Sequence, residues 1–196
     1  MTKIRCFIAI ALADHARAEL DRLQGRLRET LPPNTVRWTS PKNIHLTLHF
    51  LGDVAEDRLD DIRRTLSDMA TSHTPFSLNL SNLGCFPNIR RPRIVWVGLS
   101  GETDLLVSLH RELGGRLKRA IGFQPESRPY APHLTIGRVK KGIAQQQLRQ
   151  LGQSLEHEIQ GVGHLALLPV EGVHFIRSDL KPDGPVYTTL AHVKFE

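Results

Sequence analysis

Two periods of apolar residues alternate along this chain, and their order repeats. An apolar run over 4–11, opening Arg5-Cys6-Phe7-Ile8-Ala9-Ile10, predicts a buried first strand. Asp14 can cap a helix running to about Thr30, after which Pro32-Pro33-Asn34 breaks the chain. Residues 43–51 alternate polar with apolar as a half-buried strand does, and Gly52-Asp53 is expected to close it. Helical spacing returns over 55–70 at Leu59, Ile62, Leu66 and Met69. Strands at Phe76–Leu80 and Ile94–Leu99 follow, separated by a Gly/Pro/Arg-rich loop. The second half has a helix at about 103–120, with Leu105, Leu106, Leu109, Leu113 and Leu117 on one side. It continues with a strand at 133–138, a Gln-rich helix at 144–158 and a short strand near 165–170. A closing hairpin pairs Val173–Arg177 with Val186–Lys194, and Pro182-Asp183-Gly184 supplies its turn chemistry.

Strand, helix, strand, helix, strand thus occurs twice. The order predicts an α+β fold of two pseudo-symmetric lobes. Each lobe is an antiparallel sheet with helices packed outside, and the two face each other across a central cleft. We read residues 1–196 as a single bilobal domain with approximate halves 1–90 and 91–196, leaving room for the lobes to exchange terminal strands. No low-complexity segment or obvious linker interrupts it.

Bulk composition narrows the partners more than the fold. A chain of 196 residues with 40% hydrophobic and 23% charged residues is an ordinary soluble globule. A net charge of +6 and a sequence pI near 9.7 favour polyanionic partners, nucleic-acid phosphates above all. Cys6 and Cys85 form no Cys-x-x-Cys pair, so zinc sites and disulfide frameworks are not expected and a reducing compartment fits. The first thirteen residues imitate a short signal peptide, but they read better as a first strand. No apolar stretch approaches the roughly 20 residues of a membrane span. The expectation is a cytoplasmic protein, monomeric by default.

The chemistry lies in a pattern that occurs at the same place in each half: His45-Leu46-Thr47-Leu48 and His133-Leu134-Thr135-Ile136. Random order in a chain of this composition gives about 0.1 such patterns. On a strand, the imidazole and hydroxyl share one face and the aliphatic pair the other. Two histidines from two strands suit phosphodiester hydrolysis, one taking a proton from water and the other giving one to the leaving oxygen. Thr47 and Thr135 can donate to non-bridging phosphate oxygens.

Other residues invite weaker readings. His49 shares the parity of His45, but on a strand the two stand roughly 13 Å apart, too far to share a metal ion. His49 is therefore expected to extend the cleft or to be exposed, and no metal or cofactor is expected. Arg138 could hold phosphate, although strict alternation sets it opposite His133 unless a bulge at Gly137 redirects it. Arg90, Arg91 and Arg93, flanked by Phe86 and Trp96, form a candidate RNA-binding loop. Lys181-Pro182-Asp183-Gly184 imitates a ligase motif, but a hairpin turn already accounts for it.

With both motifs placed, the chain resembles the two-histidine phosphoesterases, in particular the RNA 2′,3′-cyclic phosphodiesterase or 2′-5′ RNA ligase (LigT-like) family. The resemblance runs through Arg5–Ile10, His45–Gly52, Pro132–Arg138 and a tail with Ser178, Leu180, Gly184 and Tyr187. It implies His45 and His133 as the catalytic pair, with Thr47, Thr135 and Arg138 as phosphate contacts and no metal. The implied reaction opens a terminal 2′,3′-cyclic phosphate to a 2′-phosphate, and attack by a 5′-hydroxyl in place of water gives 2′-5′ ligation. Implied partners are RNA with cyclic phosphate ends, tRNA fragments among them, or cyclic nucleotides. We take His45 as acid and His133 as base, although the symmetric motif does not itself order them. Two alternatives stand beside this one: a two-histidine enzyme of small cyclic nucleotides, and a non-catalytic RNA-end-binding protein.

Overall fold

A computed structural model describes residues 2–182 and 184–196. Asp183, at the tip of the predicted turn, lies outside the described residues. The elements in chain order are β1 (Lys3–Ala11), α1 (Asp14–Thr30), β2 (Val36–Trp38), β3 (His45–Ala55), α2 (Leu59–Ala70), β4 (Phe76–Phe86) and β5 (Ile94–Gly101). They continue with α3 (Thr103–Ile121), β6 (Leu134–Val139), α4 (Gln145–Gly161), β7 (His164–Val170), β8 (Gly172–Lys181) and β9 (Gly184–Lys194). Two antiparallel sheets result, one in the order β3-β1-β8-β9 and the other β2-β6-β5-β4-β7. The α+β, two-lobed architecture expected from the repeated order is the one observed.

Sheet membership does not follow the halves 1–90 and 91–196. β1 and β3 are joined by the C-terminal β8–β9 hairpin, while β2 and β4 from the first half complete the sheet of β5, β6 and β7. A strand's own pattern says which of its faces is buried, but not whose edge it will pair with. Three local expectations also change. β2 had no sequence signal and forms because it finds the edge of β6. Asp14 begins α1 without capping it, the cap position being Ala13, and its carboxylate instead pairs with Arg17 at 2.8 Å. β3 does not stop at Gly52: that residue adopts φ 68°, a bulge forms at Leu51, and pairing with β1 continues to Ala55.

The helices cover the outer faces. α2 and α3 pack on each other and on the first sheet, while α1 and α4 pack on the second. Ile4, Cys6, Ile8 and Ile10 of β1 point to the helical side and join one continuous core. Burial pushes the Cys6 thiol up to about 11, which removes it as a nucleophile. The odd positions of β1 face the other way. Phe7 and Ala9 make a separate small cluster with Ile176 of β8 and Tyr187 of β9. That second cluster floors the inner face of the first sheet.

Candidate active site

Each motif ends in the same irregularity. In β3, Thr47 pairs with Ala9 and His49 with Ile8, leaving Leu48 as an extra residue. In β6, Thr135 pairs with Trp96 and Gly137 with Val95, leaving Ile136 as an extra residue. The fourth residue of both motifs is thus the extra residue of a β-bulge. A bulge places two successive side chains on one face and resets the alternation after it.

That reset decides two open questions. Leu48 and His49 both turn toward the helices, so His49 is 5% exposed and does not extend the cleft. Its ring Nε2 hydrogen-bonds the His110 carbonyl of α3 at 2.9 Å, and the two imidazoles stack at 4.1 Å. In β6, Ile136 and Gly137 both turn inward, Val139 joins the core, and Arg138 emerges exposed on the face of Thr135. A Cβ on Gly137 would sit 2.6 Å from the Val36 side chain, so only glycine lets β2 close here. Arg37 of β2 stands directly opposite Arg138.

The motif histidines are held alike. His45 Nδ1 meets the Asn43 carbonyl at 2.8 Å, and His133 Nδ1 meets the Ala131 carbonyl at 2.8 Å. A carbonyl only accepts, so Nδ1 carries the proton in both rings and Nε2 is left for chemistry. Each ring also rests on aromatic neighbours. His45 stacks on Phe7 at 4.6 Å and meets the edge of Tyr187 at 5.4 Å, while His133 meets the edge of Phe86 at 4.9 Å. Burial lowers the His45 pKa below its ordinary 6.5, and the Asn43 carbonyl partly opposes that shift.

The two sheets bring these groups together. β3 and β6 are in contact, and the Tyr130 hydroxyl, just ahead of the second motif, donates to the Thr47 carbonyl at 2.9 Å. Tyr187 belongs to the sheet of His45, yet the Arg138 guanidinium from the other sheet is close enough to act on its phenol. Burial raises that phenol's pKa, while Arg138 and Arg5 pull it down. Asn43, whose carbonyl anchors His45, also donates its side-chain amide to Pro185 of β9 at 3.1 Å.

The candidate RNA-binding loop divides into two parts. Arg90, Arg91 and Arg93 are exposed at the turn joining β4 and β5. Phe86 and Trp96 are half-buried: Phe86 supports the His133 ring, and Trp96 lies against Phe86 at 5.2 Å and across Gly84. The Trp96 indole N–H is buried without a hydrogen-bond partner among the described residues.

Two supporting residues belong to no motif in the sequence. Gln24 on α1 is fully buried and donates Nε2 to the Thr39 carbonyl at 2.8 Å and to the Ile136 carbonyl at 2.7 Å. His110 on α3 lies against the Leu48 carbonyl; burial and the adjoining His49 push its pKa down to about 4, and that carbonyl opposes them. A polar side chain from a helix, buried in Gln24 and half-buried in His110, therefore faces the bulged residue's carbonyl in each lobe. His110 in turn stacks flat on Tyr130 at 3.8 Å. Only the hydrophilic character of Gln24 amid the leucines of α1 hinted at such a role.

Comparison with known proteins gives the arrangement a family. The profile described as LigT like Phosphoesterase matches residues 10–96 and 97–187. An RNA 2′,3′-cyclic phosphodiesterase of Methanothermobacter thermautotrophicus is 35% identical over 188 residues, covering 96% of this chain and 97% of the relative. One from Thermotoga maritima is 30% identical, covering 98% and 96%. A crystal structure from Thermus thermophilus superposes with a TM-score of 0.79 at 29% identity, covering 98% of each chain. The E. coli LigT structure complexed with 3′-AMP shares the fold, with a TM-score of 0.75 at 22% identity and 98% coverage of each chain. From its paired motifs, its two-sheet architecture and these matches, this chain belongs to the LigT-like phosphoesterase family.

Proposed function

We propose that this protein hydrolyses terminal 2′,3′-cyclic phosphates of RNA to 2′-phosphates, with His45 and His133 as the acid–base pair. The observation that carries it is the matched anchoring of the two rings, each with its Nδ1 proton on a backbone carbonyl and its Nε2 left unengaged. Relatives named for this activity at 30–35% identity support it.

The chemistry balances within the chain's own groups. His133 Nε2 takes a proton from water as the water oxygen forms a bond to phosphorus. The bond from phosphorus to O3′ breaks, and His45 gives that oxygen its proton. Thr47 and Thr135 donate hydroxyl hydrogen bonds to the non-bridging oxygens, and Arg138 supplies positive charge to the same phosphate. The Arg90, Arg91 and Arg93 loop extends the cationic surface toward the rest of the RNA. A 5′-hydroxyl in place of water completes the same displacement as 2′-5′ ligation.

The reaction is tested by ³¹P NMR of an oligoribonucleotide with a 2′,3′-cyclic phosphate, incubated with the protein in excess EDTA. Clean conversion to the 2′-phosphate is expected. A 3′-phosphate product overturns the assigned leaving oxygen, and activity restored only by a divalent ion overturns the metal-free mechanism.

The pH profile tests whether His45 belongs to the pair. His45 in the free protein holds its proton less well than an ordinary imidazole, because its ring is buried. A limb of kcat/KM below pH 6.5 is therefore expected, and it should vanish in the residual activity of His45→Ala. A wild-type profile with no limb below pH 6.5 would remove His45 from the proton transfers.

A further inference from the structure

Sheet register sets two more arginines beside the site. Arg37 stands directly opposite Arg138 in the β2–β6 ladder, which puts their Cβ atoms about 4.5–5.5 Å apart on the same face. Like charges so placed repel each other, and the pair is exposed. Arg5 comes from the other sheet. It lies on the face of Phe7, and its charge, like that of Arg138, reaches the Tyr187 phenol beside His45. Among the described residues, no carboxylate lies within 4.0 Å of the nitrogens of Arg5, Arg37 or Arg138, and even Asp53, opposite Arg5 in the ladder, makes no ion pair with it. Three guanidiniums without a carboxylate partner among the described residues thus gather at the β2–β6 ladder and around Tyr187, more positive charge than the single terminal phosphate of the proposed reaction, already assigned two threonines and Arg138, calls for. β2 was brought to this place by long-range pairing alone, and its outward-facing residue is an arginine rather than the acid that would neutralise Arg138.

We infer that Arg37 and Arg5 form a subsite for the phosphodiester next along the strand from the reacting end, so that oligoribonucleotides are preferred over mononucleoside cyclic phosphates. This rests on the proposed phosphodiesterase activity. Each arginine added beyond Arg138 meets charge that a mononucleotide does not have. Such contacts strengthen binding with little regard to base identity and make it salt-dependent.

The test uses a trinucleotide ending in a 2′,3′-cyclic phosphate, made with either an ordinary phosphodiester or an uncharged methylphosphonate at the linkage next to that end. Arg37→Gln is expected to lower kcat/KM on the charged strand about tenfold, mostly through KM. The methylphosphonate is expected to lower the wild-type value by a similar factor, and the two losses do not multiply when combined. The salt slope of log kcat/KM should fall by about one in the variant. Arg5→Gln, on a different strand of the other sheet, is run as the independent second variant. Losses that multiply, or equal losses on both strands, overturn the subsite. A wild-type protein that converts neither strand overturns the proposed activity instead. Unchanged thermal midpoints show that the variants have kept the fold.

Discussion

Replacing His45 or His133 with alanine is expected to lower kcat on a cyclic-phosphate RNA by about 10²–10⁴ each, the usual range for one proton-transfer group. The double variant should lose far less than the product of the two, because a pair acting in one displacement fails as a unit. RNA binding should largely survive, since the threonines and arginines proposed to meet phosphate stay in place. Both rings are half-buried and stand on aromatic beds that the substitutions leave intact, so folding should change little. Steady-state kinetics alongside an RNA-binding titration decide the matter. A loss of tenfold or less at either position would exclude that histidine from proton transfer. Intact binding by a wild-type protein without turnover would point to an RNA-end-binding protein.

The second large effect is expected far from the motifs. Gln24→Leu keeps the volume but removes the donor that serves both the Thr39 and Ile136 carbonyls. The Ile136 carbonyl keeps the Thr39 amide at 2.9 Å, whereas the Thr39 carbonyl is left without its buried donor. Leaving such groups unsatisfied is expected to cost about 2–3 kcal/mol, read as a shift in the urea midpoint at unchanged slope. Activity should fall as well, because the bulge that Gln24 supports aims Thr135 and Arg138. A roughly tenfold lower kcat is the expected readout for a site loosened by a fraction of an ångström. A variant as stable as wild type would mean that the bulge holds itself.

Much of the fold can be read from local pattern because its elements obey short periods. The β8–β9 hairpin, α3 and the paired motif strands each depend on residues close together in the chain and appear near their expected places, although Leu105 of α3 turns to solvent while Leu106, Leu109, Leu113 and Leu117 are buried. His49 shows where such logic stops. Parity set it beside His45, and the bulge at Leu48 turned it to the opposite face, against α3. Arg138 shows the converse: strict alternation set it away from His133, and the bulge at Ile136 returned it to the face of Thr135. A bulge is a relation between two strands, so neither strand's sequence contains it.

Side-chain order was enough to establish that two strands would each offer an imidazole and a hydroxyl on one face, that helices would cover the other, and that the chain would carry excess positive charge. Those properties follow from period and composition, which need no partner to be defined. Folding in three dimensions then selected which strands share a sheet, where the ladders slip, and which arginines meet. It also brought Gln24 and His110 to the bulged carbonyls. These outcomes depend on contacts between residues as far apart as Gln24 and Ile136, 112 positions along the chain. Such contacts form only when burial of the whole core has fixed which edges and faces come together.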